Sequence, residues 1–267
     1  MEKSIREKIN FRNIIAIILF VAFLIVEFFY LNKNNTIKVS ETNSYETSDN
    51  LFLESSEVVA TISNASISKE YRFATVSETY FDNTLFIGDS RMLGFSIYKQ
   101  IEGATYYCYQ SADAFTILDK EYEVKPYGMI SLYTLISLNQ FDKIYISLGI
   151  NNVGAGYENH KKHFNKLIDT IIDLQPNAII YLLANLHVTS ELKLDAPYLT
   201  NENIDNINKF ISQIADDKNI FYLDPNVMYD DEYGNMDSEL SYDKAHIYLR
   251  HYDRYLYFLL THAVVYE

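Results

Sequence analysis

The residues whose types and spacing could do chemistry fall in three short stretches. Gly88-Asp89-Ser90 follows the apolar run 85–87. Leu148-Gly149-Ile150-Asn151-Asn152 closes a second apolar run, and Asp243-Lys244-Ala245-His246 lies near the C-terminus. A serine hydroxyl is a poor nucleophile until a base takes its proton, and His246 is the natural base. Asp243, three residues earlier, is close enough to fix the imidazole tautomer and stabilise the imidazolium. The Asn151 amide suits a developing oxyanion, a contact worth about 2.7–4 kcal/mol where such donors are removed. Each stretch is weak alone, since Gly-Asp-Ser is also an ordinary turn, and the weight lies in the ordered set.

These residues need elements that bring them to one edge. From Tyr80 onward apolar runs alternate with helical periodicity, the pattern of a parallel sheet with crossover helices. The runs 85–87, 105–109, 143–148, 178–183 and 220–223 predict strands. A helix is predicted over 156–174, with Phe164, Leu167, Ile168, Ile171 and Ile172 on one stripe and Pro176 beyond it. A second carries Ile204, Ile207, Ile211 and Ile214, a third begins after His246, and 129–138 also reads as helix. Ser90 and Asn151 each follow a strand, so both are expected at the carboxyl edge, where open α/β sheets keep their sites. Ser90 also opens an amphipathic stretch, which puts its N–H at a helix N-terminus.

In this order the three stretches resemble the SGNH (GDSL-like) hydrolase superfamily. The similarity covers about Tyr80 to the C-terminus, including the lead-in Tyr80-Phe81-Asp82. It is closest to membrane-anchored extracytoplasmic members of Gram-positive bacteria, which carry Gly-Asp-Ser-Arg, as at residues 88–91 here. The resemblance implies a three-layer, flavodoxin-like α/β/α sandwich with a five-stranded parallel sheet, and a carboxylic ester hydrolase that needs no metal or organic cofactor. It makes Ser90 the nucleophile, Asp243 and His246 its triad partners, and Asn151 an oxyanion donor beside the Ser90 N–H. Three positions depart from the pattern. A glycine usual after the second strand is missing from Cys108-Tyr109-Gln110-Ser111-Ala112-Asp113, which leaves the N–H of Ser111 or Ala112 for the oxyanion hole. Lys244 replaces a glycine, a strain if that position needs positive φ. Asn152 stands where aspartate is frequent.

Other residues keep two readings. Arg91 either binds a substrate oxygen or pairs with a buried carboxylate to hold the turn. Asn152 is a substrate-binding candidate or structural. His187 lines the cleft or is a hydrogen-bonded loop histidine. His160 and His163 have a spacing a metal could use, but no carboxylate motif joins them, which favours an exposed helix face.

Composition bounds the function. A net charge of −14 and a pI near 4.8 speak against nucleic acid as a partner. The single cysteine, Cys108, excludes an intrachain disulfide and a thiolate metal site. Twenty-four tyrosines suit a sugar-facing surface or reflect a compositional bias. Residues 14–31 are almost unbroken apolar, about 27 Å of helix, and Lys3, Arg6, Lys8 and Arg12 precede them. No small-residue cleavage site follows, so an uncleaved anchor is expected in place of a signal peptide. The expected organisation is a cytoplasmic tail at 1–13, a bilayer-spanning helix at 14–31, a flexible stalk at 32–79 and an extracytoplasmic domain at 80–267. The expected substrate is an O-acyl, foremost O-acetyl, ester on a cell-envelope or extracellular glycan. Transfer of the acyl group to a sugar, or glycan binding without catalysis, are the alternatives.

Overall fold

The computed structural model describes residues 70–192 and 197–266. The expected tail, anchor and most of the expected stalk lie outside the described residues, among which no helix is long and apolar enough to cross a membrane. The elements run β1 (Tyr71–Ala74), β2 (Thr84–Gly88), α1 (Ser90–Lys99), β3 (Ala104–Cys108), β4 (Glu121–Val124), β5 (Gly128–Ser131) and α2 (Leu132–Leu138). They continue with β6 (Lys143–Ser147), α3 (Tyr157–Leu174), β7 (Ile179–Leu183), α4 (Asn201–Ser212), β8 (Ile220–Leu223), α5 (Tyr252–Thr261) and β9 (Ala263–Tyr266).

Strands β3-β2-β6-β7-β8 form one parallel sheet in that order, the five predicted from the apolar runs. Numbered among themselves they read 2-1-3-4-5, the flavodoxin-like order, whose switch point lies between β2 and β6. Ser90 follows the first of these two strands and Asn151 the second.

Alternation along each strand separates two cores. One face carries Leu85, Ile87, Ile144, Ile146, Ile180 and Leu182, packed with Leu135 of α2, Phe164, Leu167 and Ile171 of α3, and Phe210 and Ile211 of α4. Burying each such side chain contributes about 1.5–3 kcal/mol. The other face carries an aromatic row. Tyr106, Phe86, Tyr145 and Tyr181 are register partners on β3, β2, β6 and β7, with ring centroids 5.2, 5.0 and 4.2 Å apart and nearly parallel. Phe95 of α1 packs between this row and Tyr255 of α5. Many of the tyrosines therefore build the core, which answers the compositional question for Tyr107, Tyr145, Tyr181 and Tyr229, all essentially unexposed.

Two expectations change. The predicted helix over 129–138 divides into β5, which pairs with β4, and α2, because Ser131 caps α2 by accepting from Thr134 N–H. The domain also starts before Tyr80. β1, inside the segment read as a stalk, pairs antiparallel with the C-terminal β9, and the Tyr71 ring packs 4.6 Å from Phe221.

Candidate active site

Ser90 is placed by the turn from β2 into α1. Gly88 ends the strand where a Cβ would come within 2.3 Å of the Met92 Cβ and 3.1 Å of the Ser147 carbonyl, so only glycine lets α1 fold back this tightly. Asp89 caps the helix: its Oδ1 accepts from Arg91 N–H at 2.9 Å. Burial raises the Asp89 carboxyl against the pull of Arg91. Ser90 is the first helical residue, partly exposed, and its N–H has no intrahelical acceptor.

The Ser90 Oγ lies 2.8 Å from His246 Nε2, and His246 Nδ1 lies 2.7 Å from Asp243 Oδ2. A carboxylate only accepts, so Nδ1 carries the proton and Nε2 is left to accept from the serine. Burial would raise the Asp243 carboxyl, but bonds from the His246 ring and from the His246 and Ala245 backbone N–H groups outweigh it and hold the carboxyl below its usual range. The loop is set by further contacts. Ser241 Oγ donates to the His246 carbonyl at 2.7 Å, and the Tyr242 ring stacks on the imidazole. Lys244 sits at φ +74°, so the residue in glycine's place does stand in the left-handed region, at a cost of about 1 kcal/mol.

The oxyanion side is built from the loops after β3 and β6. Gly149, at φ +140° and close against Asn185, starts a 3-10 turn, Ile150–Ala155, that presents Asn151 at the surface. Asn151 Nδ2 donates to the Ala112 carbonyl at 2.8 Å, which ties the two loops together. Ala112 itself fails as a donor. It is fully buried and its N–H is taken by the Tyr109 carbonyl. Ser111 is the exposed neighbour, at φ +61°, a conformation that suits glycine. Asn152 is buried, and its Oδ1 accepts from Ala114 N–H, so it joins the loops.

A family model, that of the GDSL-like lipase/acylhydrolase family, matches residues 86–251. The chain belongs to the GDSL-like lipase/acylhydrolase family. Its class of activity is therefore that of a serine ester hydrolase. Solved structures similar to it include a Streptococcus pneumonia protein provisionally described as a platelet activating factor, with 19% identity and a TM-score of 0.54 over 67% of this chain and 82% of that one. A GDSL-like lipase of Bacteroides thetaiotaomicron VPI-5482 has 13% identity and a TM-score of 0.51 over 70% and 89% of the two chains. These likenesses concern the fold. No curated protein matches the sequence significantly.

Within this acylhydrolase, Arg91 interacts with the buried Asp89 carboxyl and holds the site's loops together. The side chain is buried and donates to the backbone carbonyls of Leu186, His187 and Ala245, so it ties the nucleophile's helix to the loop after β7 and to the histidine loop. His187 is no cleft residue. Its Nδ1 lies 2.8 Å from Asp230 Oδ2 and its Nε2 2.9 Å from Asp205 Oδ1. Two carboxylates require two ring protons. Burial would lower this histidine, but both pairings outweigh it and raise it. His160, expected on an exposed helix face, is fully buried. Sequence reasoning missed the asparagines beneath the site. Asn185 Oδ1 accepts from Ile150 N–H at 2.9 Å, and Asn208 Oδ1 accepts from Asn185 N–H at 2.8 Å. The one signal for them was Asn208 beside the apolar stripe of Ile204, Ile207 and Ile211.

Proposed function

We propose that this acylhydrolase removes O-acyl groups, acetyl foremost, from cell-envelope or extracellular glycans, through an acyl-enzyme on Ser90. The observation that carries the reading is the unbroken hydrogen-bonded line Ser90 Oγ, His246 Nε2, His246 Nδ1, Asp243 Oδ2 at the sheet's carboxyl edge. Ser90 Oγ attacks the ester carbonyl carbon as its proton passes to His246. The oxyanion is held by the N–H groups of Ser90 and Ser111 and by the Asn151 amide proton not spent on Ala112. Collapse expels the sugar oxygen, which takes the proton from His246. Water then attacks the acyl-enzyme with His246 as base, and the free acid leaves.

Support for the substrate class comes from the loops and the N-terminus. The loops after β3 and β6 expose Gln110, Ser111 and Asn151, groups that hydrogen-bond and offer little room to a long acyl chain. The apolar stretch 14–31 with basic residues before it fits an anchor that leaves the domain outside the cell, among envelope glycans. Initial rates on aryl esters of two to twelve carbons, beside acetate release from acetylated xylan and peptidoglycan, test the reading. We expect a maximum at two to four carbons and release of acetate from a glycan. A maximum at eight carbons or more with no acetate released leaves a general esterase. An acylated sugar product in place of free acetate makes it a transferase.

A further inference from the structure

Between the first turns of α3 and the exposed side of α4 lies a cavity of about 470 Å³, within the ~300–1,000 Å³ usual for small-molecule sites. One wall is the 3-10 turn of the oxyanion loop, through Asn152 and Val153, so the cavity opens one residue from Asn151. Asn203, Asn206, Ile207 and Lys209 line it from α4 and Gln213 from the residue after it, so this wall is polar except for Ile207. Tyr157, 44% exposed, stands at the N-terminus of α3.

The second lining group from α3 is His160. It has no solvent exposure, and neither ring nitrogen has a hydrogen-bond partner among the described residues. Such orphans are rare and costly, about 1–3 kcal/mol each. Burial pushes this imidazole down to about 4, so at neutral pH it is uncharged and offers one donor and one acceptor. A carboxylate or phosphate, which only accepts, would pair with Lys209 but leaves the acceptor nitrogen of His160 unpaired. A hydroxyl, which donates and accepts, satisfies either nitrogen, and the side-chain amides of Asn206 and Gln213 offer the same donor-and-acceptor pairing. The exposed Tyr157 ring adds a flat apolar face for C–H groups. Hydroxyls on an uncharged ring with apolar faces describe a neutral sugar.

We propose that this cavity between α3 and α4 is a binding site for a neutral sugar ring of the glycan, beside the residue that carries the scissile ester. The proposal rests on the glycan reading of the substrate and places the polymer on the Asn151 side of Ser90.

The test uses the full chain in detergent. Saturation-transfer NMR with unacylated xylohexaose, cellohexaose and N-acetylchitohexaose reads the cavity without catalysis. We expect signal from at least one of them, lost in Asn206→Ala/Gln213→Ala. The same double variant should raise KM on the corresponding acetylated oligosaccharide about 10-fold and leave kcat/KM on an aryl acetate unchanged. His160→Phe removes the orphaned nitrogens, so it should keep or raise the melting temperature while weakening oligosaccharide binding. Binding of no oligosaccharide, or equal binding by wild type and both variants, means a solvent-filled cleft and overturns the proposal. Oligosaccharide binding that the double variant loses, with no acetate released from any glycan, leaves the sugar site standing and overturns only the deacylase reading.

Discussion

Ser90 and His246 share one proton across 2.8 Å, so removing either disables the same step. Ser90→Ala and His246→Ala should each reduce kcat on an aryl acetate to background. Asp243→Asn leaves the loop in place and offers the wrong hydrogen to Nδ1, and should cost about 10⁴ in kcat. Asn151→Ala removes one oxyanion donor among three and should cost about 10²–10³. Its side chain also ties to Ala112, so the melting temperature must be read beside the rate. An unchanged rate with a lowered melting temperature would make Asn151 a loop clamp and not an oxyanion donor.

Elements of this fold are joined at the site by buried charges whose partners are far apart in sequence. Arg91 holds α1 to two loops through a planar fork of donors that lysine cannot reproduce. Arg91→Lys should lower stability by about 2–3 kcal/mol and reduce kcat on an aryl acetate, with KM little changed. A raised KM at unchanged melting temperature would return Arg91 to substrate binding. His187 clamps α4 and the loop after β8 through Asp205 and Asp230. Its folded pKa is raised, so its contribution is fully present below the unfolded value of about 6.5 and is lost as pH rises through the folded value. The wild type should therefore lose stability as pH rises above about 6.5, modestly because Asp205 is largely exposed. His187→Gln should be less stable at pH 6 and show little of that slope in thermal melts. An equal slope in both proteins would assign the titration elsewhere.

Across the whole molecule, the two ends of the domain close on each other. β1 covers one edge of β9, and Tyr71 and Phe73 pack on Phe221 beside it. A chain beginning at Tyr80 leaves β9 unpaired and that aromatic corner open. It should unfold at a lower denaturant midpoint than one beginning at Lys69, by on the order of 2–3 kcal/mol. Coincident midpoints would show β1 to be dispensable.

The five parallel strands, the three amphipathic helices and the Ser90, Asp243 and His246 set were legible in the sequence because each depends on local pattern: apolar runs, 3.6-residue periodicity and residues at strand ends. The short strands β1, β4 and β5 were not, since a four-residue strand with one buried side chain or none has no period to read. Roles set by distant partners were equally hidden. Arg91 is adjacent in sequence to the nucleophile, yet its donors go to carbonyls 95 to 154 residues away. His187 meets carboxylates on two other elements, Ala112 spends its N–H within its own turn, and His160 is buried where the helical pattern allowed exposure. Sequence determined which groups could react, because bond-making chemistry belongs to residue type. Tertiary structure decided which of them face the site, because burial and hydrogen-bond partners come from elements that only folding brings together.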